Sequence, residues 1–159
     1  MMAPEILRRL GAVLVILTLA ACDSPEEKEA KYLARGKVLC EQGDDAKAMV
    51  ELRNVLRLNP KNAEALYTAG LIHERGERLP QAYAAYQAAT AEKPDLLPAQ
   101  AKLGALALMG GQIEVAKKAA DAIEKVQVDN PDGLAIRGAV MLRKGDLERA
   151  KEVAQQALT

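Results

Sequence analysis

From Glu29 onward the apolar and polar positions of this chain repeat every 34 residues. Within each period the apolar residues fall into two short blocks separated by a glycine break, and each block reads as a helix. In the first period they include Tyr32, Leu39, Leu52, Val55 and Leu56; in the second, Leu66, Ala69 and Tyr86. The first helix of the first period stops at Gly43-Asp44 and the second at Asn59-Pro60. Gly just past a helix and Asp as the next N-cap are the expected stop and start chemistry. The break recurs at Gly111 and Gly145 and slides back by one to Gly76 in the second unit. Pro60 and Pro94 close the second helices of their units. Val128 stands at that place in the third, which predicts a helix running on to Asp129 or Asn130 before Pro131.

Two small residues keep strict phase. Gly36, Gly70, Gly104 and Gly138 are 34 apart, and so are Ala48, Ala82, Ala116 and Ala150. Four glycines in one phase would arise by chance on the order of 1 time in 1000, so the repeat is real. The units are 29–62, 63–96, 97–130 and a shortened 131–159. Gly inside a helix costs up to about 1 kcal/mol relative to Ala. That cost is tolerated where a paired helix crosses too closely for a Cβ, with the phased Ala expected as the matching small residue on the second helix.

The period, the Gly and Ala phases and the closing Pro resemble the tetratricopeptide repeat (TPR) family over the stretch from Glu29 to the C-terminus. Three departures stand out. Arg35 and Arg137 occupy usually apolar positions, Gln100 replaces a bulky first-helix residue, and the chain has no Trp or Phe. The resemblance implies an all-α, right-handed solenoid of four helix-turn-helix repeats whose first helices line a concave groove.

The N-terminus is a separate object. Met1 to Arg9 is basic, and Leu10 to Ala21 is a twelve-residue apolar run, too short to span a bilayer comfortably. This describes a secretory signal, and hence a signal helix ahead of the array. The run ends Leu19-Ala20-Ala21-Cys22, which resembles a bacterial lipobox. That resemblance implies lipidation of Cys22, with a palmitate-type chain, as the first mature residue. An ordinary signal peptide cut near Ala21, with Cys22 incidental, is the competing reading. Residues 22–28 then form a short helix-start linker, with Ser24, Pro25 and Glu27 set out as a capping box. The array would sit within roughly 10 Å of the bilayer surface, at ~3.5 Å per extended residue. In similar lipoproteins an Asp after the lipidated Cys, here Asp23, favours the inner membrane over the outer; both face the periplasm.

Charge and cysteine content narrow the functions. Without residues 1–21 the chain keeps 20 basic and 21 acidic side chains, a net charge of −1. No basic patch or stacking aromatics point to nucleic acid. A lipidated Cys22 leaves Cys40 as a lone thiol, read as a small apolar filler. His73 is the only histidine and falls at a packing position; it reads as a partly buried spacer rather than a catalytic base. No Cys/His metal spacing, phosphate-binding Gly loop or Gly-x-Ser-x-Gly elbow occurs. The acid pairs Asp44-Asp45 and Glu26-Glu27 read as helix caps. No enzyme, cofactor or metal is expected.

The groove remains as the candidate site. The family's inward-facing positions map onto Leu33, Lys37, Cys40 and Glu41 in the first unit and onto Glu64, Tyr67, Leu71, Glu74 and Arg75 in the second. In the third they map onto Ala101, Lys102, Ala105, Leu108 and Met109, and in the fourth onto Asp132, Ile136, Ala139, Leu142 and Arg143. An aliphatic floor with single charges near one edge suits an extended or helical peptide. A carboxylate clamp of the chaperone-tail type would use Leu33, Lys37, Thr68, Pro98 and Lys102, of which only Lys102 fits, so that ligand is not expected.

The expected function is a lipid-anchored, periplasm-facing scaffold recruiting a protein partner in secretion, exopolysaccharide or pilus biogenesis. The likeness to TPR lipoproteins of exopolysaccharide and exosortase systems, and less closely to pilus-assembly lipoproteins, implies it. The alternative is a structural spacer with an empty groove. At the far end Leu147, Val153, Ala154, Ala157 and Leu158 have nothing after them. Either the array continues in a longer chain, or that end docks on a partner or pairs with another copy.

Overall fold

A computed structural model describes residues 24–157, and the signal segment, Cys22 and Leu158 lie outside them. The described residues form eight helices and no strands. They are α1 (Pro25–Glu41), α2 (Asp45–Leu58), α3 (Ala63–Arg75), α4 (Leu79–Glu92), α5 (Leu97–Met109), α6 (Ile113–Val126), α7 (Pro131–Lys144) and α8 (Leu147–Gln156). Each successive pair is a hairpin, and each hairpin stacks on the next, so the chain is an α-solenoid of four helix pairs.

Local chemistry sets the helix ends. Ser24 Oγ accepts from the Glu27 N–H (3.1 Å) while the Ser24 N–H donates to Glu27 Oε2 (2.9 Å), a complete capping box with Pro25 at the first position. Asp44, Asn62, Asn130 and Asp146 each cap the helix that follows with a side-chain oxygen. At the turn inside each unit one hydrogen bond recurs. The Asp44 N–H donates to Leu39 O (2.9 Å), Arg78 to His73 (2.9 Å), Gln112 to Ala107 (2.7 Å) and Asp146 to Met141 (3.0 Å). This closure requires a left-handed residue just before the donor. Gly43, Gly111 and Gly145 supply it with φ of 79°, 71° and 80°.

Two expectations from the sequence need correction here. In the second unit the left-handed residue is Glu77, φ 57°, and not Gly76, which ends α3 at φ −85°. The turn keeps its 34-residue phase and forces a side-chain-bearing residue into the strained conformation. Likewise α6 does not run to Asp129 or Asn130. It stops at Val126 with Gln127 extended, in phase with Asn59 and Lys93, and Val128 is 67% exposed in the turn. Docking of α7, capped by Asn130, ends the helix; a proline is not needed for it.

The core is a series of linked clusters. Cys40, Ala48, Leu52 and Val55 of the first pair meet Ala65, Ala69 and Ile72 of α3. Ala82, Tyr86 and Leu103 join the second and third pairs. Ala107, Ala116, Ala120 and Ile123 of the third meet Ile136 and Val140 of α7. The phased alanines are buried, yet they are not what the phased glycines face. A Cβ on Gly36 would stand 3.1 Å from Leu52 Cδ2, and one on Gly70 2.6 Å from Tyr86 Cδ1. On Gly104 it would meet Ile136 Cδ1 at 2.7 Å, and on Gly138 only Val153 at 3.8 Å. Three of the four glycines thus mark close crossings, against large side chains rather than against the alanines, and Gly138 does not.

The sequence departures have local solutions. Gln100 is 6% exposed and its amide donates to Pro94 O (2.9 Å), so a polar side chain replaces an apolar one without leaving its N–H group unpaired. Arg35 lies over the Tyr32 ring, 4.9 Å from its centroid, and pairs with Glu51 at 3.1 Å. Arg137 pairs with Glu124 across the junction of α6 and α7.

Candidate interaction groove

First helices of neighbouring units touch one another, α1 with α3 and α5 with α7, whereas second helices do not do so comparably. The first helices therefore lie on the inner, concave side. There, α1, α3 and the start of α5 enclose a cleft of about 430 Å³. Lys37, Cys40 and Glu41 come from α1, Glu64, Tyr67, Thr68 and Leu71 from α3, Leu96 from the end of the same unit and Pro98 from the start of α5. Of the residues mapped from the sequence, this brings together Lys37, Cys40, Glu41, Glu64, Tyr67 and Leu71.

The floor is fixed by packing. Leu71 is half-buried against the first core cluster; Leu33, mapped to the groove from the sequence, packs on the same cluster but does not line this cleft. The Tyr67 ring meets that of Tyr86, centroids 5.9 Å apart and tilted 40°, an arrangement aromatic pairs favour. Cys40 is a free, buried thiol under the cleft, with the Arg75 guanidinium donating to its carbonyl at 3.0 Å.

The charges differ from the sequence expectation of single groups awaiting a ligand. Lys37 Nζ pairs with Glu64 at 2.9 Å, Arg75 with Asp45 at 2.7 Å and Lys102 with Glu74 at 2.9 Å. Each bridge joins one repeat to the next. Partners with the right reach lie roughly one period away, so the same residues that could greet a peptide instead lace the repeats together. Glu74 also accepts the Tyr86 hydroxyl at 2.5 Å. Burial raises the Glu74 carboxyl, but hydrogen bonds from Tyr86 and Lys102 outweigh it and hold the pKa below the usual range. Burial, reinforced by that bond to a carboxylate, keeps the Tyr86 phenol protonated far above its ordinary value. The Lys37 hydrogen bond lowers Glu64.

The remaining mapped residues divide. Ile136 does not line the groove: it is 6% exposed, because its side chain fills the space left by Gly104. Leu108 is half-buried against the third cluster. Ala101 and Ala139 are half-buried, and Ala105, Met109, Asp132, Leu142 and Arg143 are exposed, without joining the cleft of the first two units. Sequence mapping missed Thr68 on α3, and also Leu96 and Pro98, which close the cleft from a loop and helix start rather than from the mapped face. Thr68 and Pro98 enter the sequence reading only as misfits in a carboxylate clamp. Among the described residues no cluster of His, Cys, Asp or Glu could hold a metal ion, and no helix is long and apolar enough to cross a membrane.

Known proteins agree with this architecture. A TPR repeat family model matches residues 36–76. No curated protein sequence matches the chain. Among solved structures, MamA superposes with a TM-score of 0.72 at 23% identity, over 82% of this chain and 76% of that one. PilF of Pseudomonas aeruginosa gives 0.70 at 19% identity, over 86% of this chain and 62% of its own length. MamA of Desulfovibrio magneticus RS-1 gives 0.67 at 22% identity, covering 85% and 74%. Identities this low carry the fold alone: the described residues form a TPR-like α-solenoid, and the TPR repeat family model matches the part of it from residue 36 to residue 76.

Proposed function

We propose that this solenoid is a lipid-anchored scaffold whose concave cleft holds an elongated segment of a protein partner in a bacterial cell-envelope assembly. The observation that carries the reading is the cleft itself. Its floor is apolar, with Tyr67, Leu71, Leu96 and Pro98, and its bridged charges are spent between repeats. Such a surface recognises by shape and apolar contact, which suits a helix or extended strand with aliphatic anchors. Binding rather than catalysis is the work such a surface can do. The anchor rests on the sequence Leu19-Ala20-Ala21-Cys22, and α1 starts three residues after Cys22. Secretion, exopolysaccharide and pilus assembly are the systems in view.

Pull-down from solubilised membranes tests the reading. A discrete envelope protein should be recovered by the wild-type chain and reduced at least about tenfold by Leu71→Glu, the loss of one hot-spot anchor. Equal recovery by the variant, or none above background by either, contradicts it. Cys22→Ser should leave a larger, unprocessed species. An unchanged mature mass and membrane fraction would remove the anchor from the account.

A further inference from the structure

The concave cleft carries one charge that the fold leaves unmatched. Glu41 lines it from the last residue of α1 and is exposed. The C-terminal end of a helix is the negative end of its dipole, so a cation is favoured there and an acid disfavoured. The other repeats follow that rule or stay neutral. One and three periods later the same position is Arg75 and Arg143, among the last-turn cations of α3 and α7; two periods later it is Met109. Only α1 of these four first helices ends on an acid, and it has no cation in its last turn.

The cations near Glu41 are engaged elsewhere. The two acids that follow it, Asp44 and Asp45, hold Lys47 at 2.6 Å and Arg75 at 2.7 Å. Arg75 also donates to Cys40 O at 3.0 Å, which fixes its guanidinium on the backbone rather than on Glu41. Lys37 lies one turn before Glu41, but Lys ahead of Glu is the poorer order for such a pair, and its Nζ crosses the cleft to Glu64 at 2.9 Å. Among the described residues Glu41 therefore has no cation as partner. The cleft is lined by two carboxylates, Glu41 and Glu64, against one ammonium, Lys37, over an apolar floor of Tyr67, Leu71, Leu96 and Pro98. A residue that breaks a local rule with no compensating contact inside the fold points to a contact supplied from outside it. We infer that the segment held in the cleft carries a lysine or arginine that pairs with Glu41, next to an aliphatic side chain seated on the floor at Leu71. A cation placed there answers both the carboxylate and the negative helix end, whereas an acidic segment is repelled. This names the chemistry of the partner and rests on the proposed reading of the cleft as a protein-binding surface.

Random peptides displayed on phage, selected on the full chain purified in detergent, test this. The wild type should enrich peptides with a lysine or arginine at a fixed spacing from an aliphatic residue. Glu41→Lys should enrich peptides with Asp or Glu at that spacing instead, and should bind the wild-type peptides at least about tenfold more weakly. Enrichment with no charge preference, or of the same cationic peptides by Glu41→Lys, overturns the inference and leaves the cleft as a binding surface. Glu41→Gln, which only removes the charge, should leave the melting temperature unchanged or raised. A fall would mean that Glu41 has a partner within the fold, and that too overturns the inference. Leu71→Glu should abolish the enrichment altogether. Peptides that still bind Leu71→Glu, or no enrichment by the wild type, overturn the proposed function of the cleft and this inference with it.

Discussion

The ring of Tyr86 closes over Gly70 so tightly that a Cβ there would lie 2.6 Å from Cδ1 and 3.1 Å from Cζ. Tyr86 is fully buried, and its hydroxyl is fixed on Glu74, so the ring cannot swing aside. Gly70→Ala should therefore destabilise by about 1–3 kcal/mol, the usual penalty for overpacking. Gly138 is the internal control. A Cβ there meets only Val153 at ordinary contact distance, so Gly138→Ala should gain up to about 1 kcal/mol of helix propensity. Denaturant unfolding of the two variants checks the contrast, and equal effects would mean that the crossings are alike.

Glu77 sits at φ 57° where the other three units carry Gly. Glu77→Gly should raise stability by about 0.5–1 kcal/mol, since the strain removed exceeds the flexibility added to the unfolded chain. Gly76→Ala should bring no such gain, because Gly76 needs no positive φ and a Cβ there would meet the Arg78 guanidinium. The midpoint of thermal melting reports both.

These two positions show what was legible in the sequence. The period, the helix pairs and the caps at Ser24 and Asp44 are local signals, and the structure follows them. The place of Gly76 misled because a glycine one residue early looks like the turn, whereas the hydrogen bond from Arg78 to His73 fixes the turn by phase. The run of α6 was overestimated because its end is set by the docking of α7, a tertiary effect. The groove was legible as a face, through Lys37, Tyr67 and Leu71. Its pairing was not: whether Lys102 reaches Glu74 or solvent depends on the stagger of adjacent repeats, which no single-helix spacing encodes.

Acid should loosen the junction of the second and third repeats. Glu74 has a folded pKa below its unfolded value of about 4.3. Its contribution is complete above that pH and is lost as the pH falls through the lower folded value. Glu64, lowered by Lys37, acts in the same direction. Glu74→Gln should flatten the stability profile below about pH 4.3 relative to wild type. Tyr86→Phe should cost about 1–2 kcal/mol at neutral pH by taking a donor from a part-buried carboxylate. Chemical denaturation across the acid range measures both.

His73 gives a separate probe of the same turn. Its Nδ1 accepts a hydrogen bond from Arg78 Nε at 3.1 Å. Burial, and then the Arg78 charge, disfavour the imidazolium and depress the pKa below the ordinary 6.5. By linkage the stability it contributes is present above about pH 6.5 and lost as the pH drops through the folded value. Proton NMR of this sole histidine should show a midpoint below 6.5, moving upward in Arg78→Gln. A midpoint above 6.5 would mean that the contact is absent in solution.

The proposed role of the concave cleft is to grip a protein partner. Site-specific photo-crosslinking in intact cells asks this directly, with the reactive residue placed in turn at Leu71 and Glu41 in the cleft and at exposed Gln87 on α4. The account predicts one discrete product, of the same partner, from both cleft positions and none from position 87. Crosslinks of equal yield from position 87, or silence from both cleft positions, would contradict it.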